Sequence, residues 1–166
     1  MERIVVEKLT EESFAPFGKV ITIQGRTYGG EEGLYRWYAQ QAVVDDAAQV
    51  SVNLLTAISK RYVFRRFEAH ARTTETLLPL TGGVIVAGIP AGEVTPERVR
   101  AFYVPVGMGI SWAPGAWHYA PYPVGEESTC AVIFREGTGA DDAVFENLPE
   151  EMGFSFQEEQ SSTQKK

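Results

Sequence analysis

The chain contains two histidines, and each sits where its neighbours could share its chemistry. In the stretch Phe67-Glu68-Ala69-His70-Ala71-Arg72-Thr73-Thr74-Glu75, Glu68 and His70 are two positions apart, so along a strand both side chains leave the same face. His118 belongs to a second stretch, Trp112-Ala113-Pro114-Gly115-Ala116-Trp117-His118-Tyr119, behind a tight Pro-Gly turn. Imidazoles and carboxylates that converge on one point can relay protons or ligate a divalent cation. The plainer alternative is a hydrogen-bonded structural histidine, with Glu68 paired to Arg66 or Arg72 on a wet rim.

The elements that must position these residues read almost entirely as strands. Residues 2 to 7 alternate as an opening strand, and Thr10-Glu11-Glu12-Ser13 offers an N-cap and early acidic residues for a short helix that Pro16 and Gly18 end. Val20 to Ile23, Leu34 to Tyr38, Gln41 to Val44 and Gln49 to Ala57 follow as strand-like runs, and the Gly- and charge-rich segment Gly25 to Gly33 reads as a loop. From Tyr62 to His70 one face carries Tyr62, Phe64, Arg66, Glu68 and His70, and the other Val63, Arg65, Phe67 and Ala69. Neither face is purely apolar, as expected of a barrel interior that holds a polar ligand.

Leu77 to Leu80 and Val84 to Ile89 flank a Gly82-Gly83 turn open to positive φ, and Val99 to Val104 reads as strand after a turn at Thr95-Pro96-Glu97. Ser128 to Phe134 is the last clear strand, and Asp141 to Leu148 reads as a short helix or an extended arm. The doublets Asp45-Asp46 and Asp141-Asp142 are discounted as sites, because adjacent strand residues point to opposite faces and such pairs usually lie on solvated turns. Together these features predict one all-β domain over residues 1–156, a sandwich or barrel with one or two short helices. The polar tail, residues 157–166, has too little apolar surface to offset the entropy of ordering.

A chain of 166 residues is long enough to close a hydrophobic core without disulfides. Its single cysteine, Cys130, lies in an apolar run, cannot form an intrachain disulfide and suits a reducing compartment. The N-terminal residues show neither an export signal nor an apolar span long enough for a membrane, so a cytoplasmic protein without a membrane partner is expected. A net charge of -7 argues against nucleic acid as a partner.

Written by spacing, the two stretches are Glu68-x-His70-x4-Glu75-x6-Gly82 and Gly107-x7-Gly115-x2-His118. They resemble the paired motifs of the cupin superfamily, whose members gather four side chains inside a small double-stranded β-barrel, a jelly roll, around a divalent metal. Glu68 stands where the usual first histidine would be, Pro114 is displaced by one place, and Tyr122 replaces a common closing asparagine. The resemblance implies Glu68, His70, Glu75 and His118 as metal ligands. Two imidazoles with two carboxylates suit a borderline ion such as nickel, manganese, iron or zinc.

Further features narrow the resemblance. Phe14-x2-Phe17-Gly18-x2-Ile21, Glu68-x-His70-x3-Thr74 before Pro79, Arg100-Ala101-Phe102 and Gly109 to His118 follow the order seen in the ureidoglycolate lyase family over about residues 4 to 150. That family is similar in implying a cytosolic homodimer that splits ureidoglycolate into glyoxylate and urea during the use of allantoin as a nitrogen source. On this reading Glu68, His70 and His118 are catalytic, and Arg66, on the strand face of Glu68 and His70, grips the substrate carboxylate unless it pairs with Glu68 or Glu75. Tyr119 adds a hydroxyl to the pocket, while Trp112 and Trp117 are wall and packing residues. Ala113-Pro114, Tyr119 and Glu75 replace a His-Arg pair, a histidine and a glutamine of the family. Those departures keep two alternatives open: a metal-dependent oxygenase or isomerase acting on a small carboxylate, and a non-catalytic cupin that binds a small anion. Tyr35, Trp37 and Tyr38 offer an aromatic surface for the dimer, or else core.

Overall fold

Short apolar runs broken by Gly and Pro form strands throughout the computed structural model, which describes residues 1–39, 41–44, 49–58 and 61–156. The elements in chain order are β1 (Arg3–Lys8), α1 (Glu11–Phe14), β2 (Gly18–Ile21), β3 (Gly29–Glu31), β4 (Tyr35–Trp37), β5 (Val50–Ala57), β6 (Val63–Ala69), β7 (Glu75–Pro79), β8 (Val84–Ile89), a 3-10 turn (Pro96–Arg98), β9 (Arg100–Val104), β10 (Gly109–Trp112), β11 (Trp117–His118), β12 (Tyr122–Pro123), β13 (Ser128–Arg135), α2 (Thr138–Asp141) and β14 (Val144–Ser155). Asp45-Asp46 and the tail 157–166 lie outside the described residues.

One sheet runs in the order β11-β6-β14-β1-β9-β8-β12, and β11 also pairs with β8, so this sheet closes on itself. The other runs β2-β10-β7-β13-β5. The two make an all-β barrel. Their shared core brings Val20, Leu77, Ile110, Trp112, Cys130 and Val132 of the second sheet against Val84, Val86, Phe102 and Val104 of the first. A second core, with Phe64, Phe67, Ile85, Ile89, Met152 and Phe154, is built from strands of the closed sheet. Helix α1 starts where the sequence indicates: the Thr10 hydroxyl accepts from the Ser13 N–H in a reciprocal capping box, and Phe14 is driven into the shared core.

Three expectations need correction. Gln41 to Val44 forms no strand; the segment is tied down by side-chain bonds, with Gln41 Oε1 accepting from the Thr22 N–H at 3.0 Å and the Val43 carbonyl from the Thr74 hydroxyl at 2.9 Å. The supposed loop Gly25 to Gly33 contains β3, which pairs with β4 in a separate hairpin. The turn at Gly82-Gly83 uses no positive φ; a Cβ on Gly83 would meet the exposed Tyr103 ring, which would have to shift aside. Ser128 to Phe134 is followed by β14, twelve residues long, whose start takes the extended-arm alternative over Asp141 to Leu148 and carries it much further.

Strand β14 is hard to read locally, since Pro149, Glu150 and Glu151 interrupt it and most of its residues face solvent. Tertiary pairing makes it a strand: it runs parallel to β1 and antiparallel to β6. Its register against β6 jumps between Asn147 and Met152, which face Arg66 and Phe64. Phe64 and Phe67 on β6, three positions apart, share one core, a further departure from simple alternation.

Candidate active site

Glu68 on β6 and His118 on β11 are direct antiparallel partners, so their side chains leave the same face of the closed sheet. Phe145 on β14 flanks Glu68 on the other side in the same row. Glu75 opens β7 in the facing sheet, beside Trp112 on β10. His70 lies one residue beyond the end of β6. One donor atom from each of Glu68, His70, Glu75 and His118 lies within 4.8 Å of the other three.

The two sequence stretches are joined through the backbone. Ala116 N–H donates to the Ala113 carbonyl at 3.0 Å, closing a turn with Pro114 second and Gly115, at φ 81°, third. A type II turn requires this positive φ at its third residue. The turn frees the Gly115 N–H, which donates to the His70 carbonyl at 2.7 Å. Trp112 packs flat on the His118 ring, with centroids 5.2 Å apart and planes 10° from parallel. Its other surroundings are Phe14 and Phe17, so the wall role expected of Trp112 includes support of a site residue. Trp117 is fixed at the edge by donating Nε1–H to the Gly92 carbonyl at 2.8 Å.

The hydrogen bonds settle which ring nitrogens face the centre. His70 Nδ1 lies 2.8 Å from the Asp142 carbonyl and His118 Nδ1 lies 3.0 Å from the Ala116 carbonyl. A carbonyl only accepts, so each Nδ1 carries its hydrogen and each Nε2 points inward. His70 Nε2–H donates to the Glu75 carboxylate oxygen Oε2 at 3.0 Å in the protonated ring, and His118 Nε2 is 3.3 Å from the same oxygen without hydrogen-bond geometry. His118 Nε2 is therefore a buried polar atom with no hydrogen-bond partner, on a side chain only 2% exposed.

Charge within the cluster is unevenly distributed. Burial pushes the Glu75 carboxyl up, but His118 and His70 outweigh it and hold its pKa at about 2. Burial opposes a charged His70, yet Glu75, the Asp142 carbonyl and Glu68 hold its pKa above the ordinary value. Glu68 is raised, chiefly by burial and also by Glu75, against the pull of His118. Glu75 thus remains an anion between two imidazoles, and Glu68 is the more basic carboxylate.

These features also fit a divalent cation. Both imidazoles present Nε2, one has no hydrogen-bond partner, and two carboxylates share the space. Arg66 is exposed at the mouth of a cavity of about 340 Å³, whose lining includes Glu68, Glu75, Leu77, Tyr119 and Phe145. No ion pair joins Arg66 to Glu68 or Glu75 among the described residues. Its guanidinium instead sits 4.2 Å from the Phe145 ring centroid and 5.9 Å from that of Tyr119. Arg72 pairs with Asp141, away from Glu68.

The sequence reading overlooked Phe145, delivered by the unrecognised β14, and Asp142, which was set aside as half of a solvated doublet. Asp142 is buried, and its carboxylate accepts from the Ala71 and Arg72 N–H groups, both at 2.9 Å. Neither role has a local signal, because each depends on contact with β6 or the residues just after it, seventy or more positions earlier. Tyr122, in place of the closing asparagine, donates its hydroxyl to the Val63 carbonyl at 2.7 Å and ties β12 to β6.

Fold and site together define an all-β barrel with a His/Glu centre. The model of the ureidoglycolate lyase family matches residues 1–153, and the chain belongs to that family. It is 31% identical over 159 residues to a ureidoglycolate lyase of Burkholderia mallei (strain NCTC 10229), spanning 92% of this chain and 93% of that relative. It is also 31% identical over 147 residues to the ureidoglycolate lyase of Azotobacter vinelandii, spanning 84% of this chain and 89% of the relative. Among solved structures, oxalate decarboxylase of Bacillus subtilis is similar at a TM-score of 0.43 and 18% identity, covering 57% of this chain and 23% of the other.

Proposed function

We infer that this chain is a ureidoglycolate lyase, cleaving ureidoglycolate to glyoxylate and urea within allantoin and purine nitrogen use. Family membership over residues 1–153 supports the reaction. The observation that carries the site is the convergence of Glu68, His70, Glu75 and His118 at a cavity whose mouth holds Arg66. One domain over residues 1–156 performs the reaction in the cytoplasm, a reading supported by the lone buried Cys130. Among the described residues no helix is long and apolar enough to cross a membrane.

Glu68, His70, Glu75 and His118 would hold a divalent cation, of the nickel, manganese, iron or zinc type, through their clustered donors. When bound, such a cation would supply Lewis acidity for the carboxylate and C2 hydroxyl of the substrate. Arg66, pre-oriented by Phe145, grips the carboxylate, and Tyr119 borders the same space. Glu68, the more basic carboxylate, accepts the hydroxyl proton when it serves as base instead of ligand; the oxygen lone pair closes the carbonyl of glyoxylate as the C–N bond breaks. The departing urea nitrogen takes up that proton, so atoms and charge balance. Glu75 keeps the imidazoles oriented as a permanent anion, and aliphatic Leu77 and Leu55 limit water at the reacting carbon.

The protein acts as a homodimer, a reading supported by an apolar outer face on edge strand β5, where Val52 is 70% and Leu54 72% exposed. Trp37 on the β4 hairpin is also exposed, in keeping with an aromatic surface. The decisive experiment measures urea and glyoxylate release by His118→Ala, with circular dichroism confirming the fold. Loss by orders of magnitude is expected, and an unchanged rate would overturn the assignment.

A further inference from the structure

Three consecutive residues at the exit of β6 are held by a single residue from the other end of the chain. The Asp142 carbonyl accepts from His70 Nδ1–H at 2.8 Å, its Oδ1 from Ala71 N–H at 2.9 Å and its Oδ2 from Arg72 N–H at 2.9 Å. Asp142 also caps α2, its own N–H donating to the Thr138 carbonyl at 3.0 Å. Two residues later β14 begins, with Val144 opposite Ala69. The neighbouring Asp141 behaves differently, pairing at the surface with Arg72 and Arg135.

We propose that Asp142 is a positioning residue for the active site: its carboxylate clamps the backbone after His70 so that its carbonyl fixes the ring with Nε2 aimed at the centre. The proposal rests on the metal-holding reading given above. Asp142 does not border the cavity, so it acts through His70. The geometry explains why the residue is an aspartate. Two diverging N–H donors need two acceptor oxygens on a short stem; asparagine offers one oxygen and sets an NH2 against the other donor. Without the clamp, residues 70–72 can move away from Asp142, and the imidazole loses the partner that selects its tautomer. Partners of this kind around metal-ligating histidines are worth about 10- to 100-fold in affinity.

The test compares Asp142→Ala, Asp142→Asn and the control Asp141→Ala with the unsubstituted chain. Manganese(II) and zinc(II) binding to the metal-free proteins is measured by calorimetry. The His70 tautomer is read by 15N NMR in the metal-free proteins, above the pH at which the ring protonates. About 10- to 100-fold weaker binding is expected for both Asp142 variants, with a mixed His70 tautomer, and no change in either for Asp141→Ala. A single retained tautomer with unchanged affinity in Asp142→Asn overturns the proposal, and so does equal loss in Asp141→Ala. If Asp142→Ala does not fold, Asp142→Asn decides. If the unsubstituted chain takes up neither ion, the metal-holding reading fails by itself, and the tautomer alone decides the role of Asp142.

Discussion

Glu75 shows what burial does to an ionisable group when two imidazoles surround it. With a folded pKa of about 2, below that of an unfolded carboxylate, it contributes stability that is present above the unfolded value, about 4.3, and lost as pH falls towards 2. His70 has the opposite sign: its raised pKa stabilises the fold below the unfolded value, about 6.5, and that contribution fades as pH rises through the folded one. The metal-free protein should therefore resist urea best at roughly pH 5 to 6, between those two values. Glu75→Gln should flatten the acid side of that profile, as urea titrations across pH can check. At the mouth, Arg66→Ala should raise KM about 10- to 100-fold with a smaller change in kcat, because a charge-assisted bond to a carboxylate contributes roughly 1.5–3 kcal/mol. Steady-state kinetics at saturating metal measures that split.

At the scale of elements, two connections govern the site: the Pro114-Gly115 turn between β10 and β11, and β14 laid along β6. A side chain at position 115 would have to adopt φ 81°, with its Cβ 3.4 Å from that of Ala91. Gly115→Ala should cost about 1–2 kcal/mol and weaken activity together with stability, since the same turn supplies the N–H bonded to the His70 carbonyl. Chemical denaturation and product release should shift together in that variant. Trp112 joins core and site on β10, stacked on His118 and buried against Phe14. Trp112→Ala should destabilise by about 3–5 kcal/mol, read from the denaturation midpoint.

For the whole molecule, a cation that binds only the folded chain couples the site to global stability. At one hundred times its Kd such an ion should stabilise the fold by about 2.7 kcal/mol, and a chelator should reverse the shift. Calorimetric scans with and without manganese(II) check this, and the same scans on His70→Ala/His118→Ala should show no gain. The apolar outer face of β5 acts at the same scale. Leu54→Asp should shift sedimentation towards monomer while leaving the barrel folded, because Leu54 is 72% exposed in the single chain.

Much of this protein is written in local sequence. The cap at Thr10, the Pro-Gly turn, the alternation of Glu68 with His70 and most of the strand-rich runs up to Phe134 depend on residues a few positions apart, so chain chemistry specifies them, Gln41 to Val44 and β3 excepted. The spacing around the histidines was legible for the same reason. Strand β14 was not, because its charged and proline-broken sequence becomes a strand only by pairing with β1 and β6. Phe145 beside Arg66, and Asp142 holding residues 70–72, follow from that pairing. Tertiary structure also decided the inward Nε2 of His70, since the Asp142 carbonyl that takes its Nδ1 hydrogen is brought in from 72 residues away, whereas the Ala116 carbonyl that orients His118 lies two residues off in the same local turn. Residue types and spacing thus determined which groups could meet, while long-range strand pairing brought them together and oriented His70, through contacts that no local stretch contains.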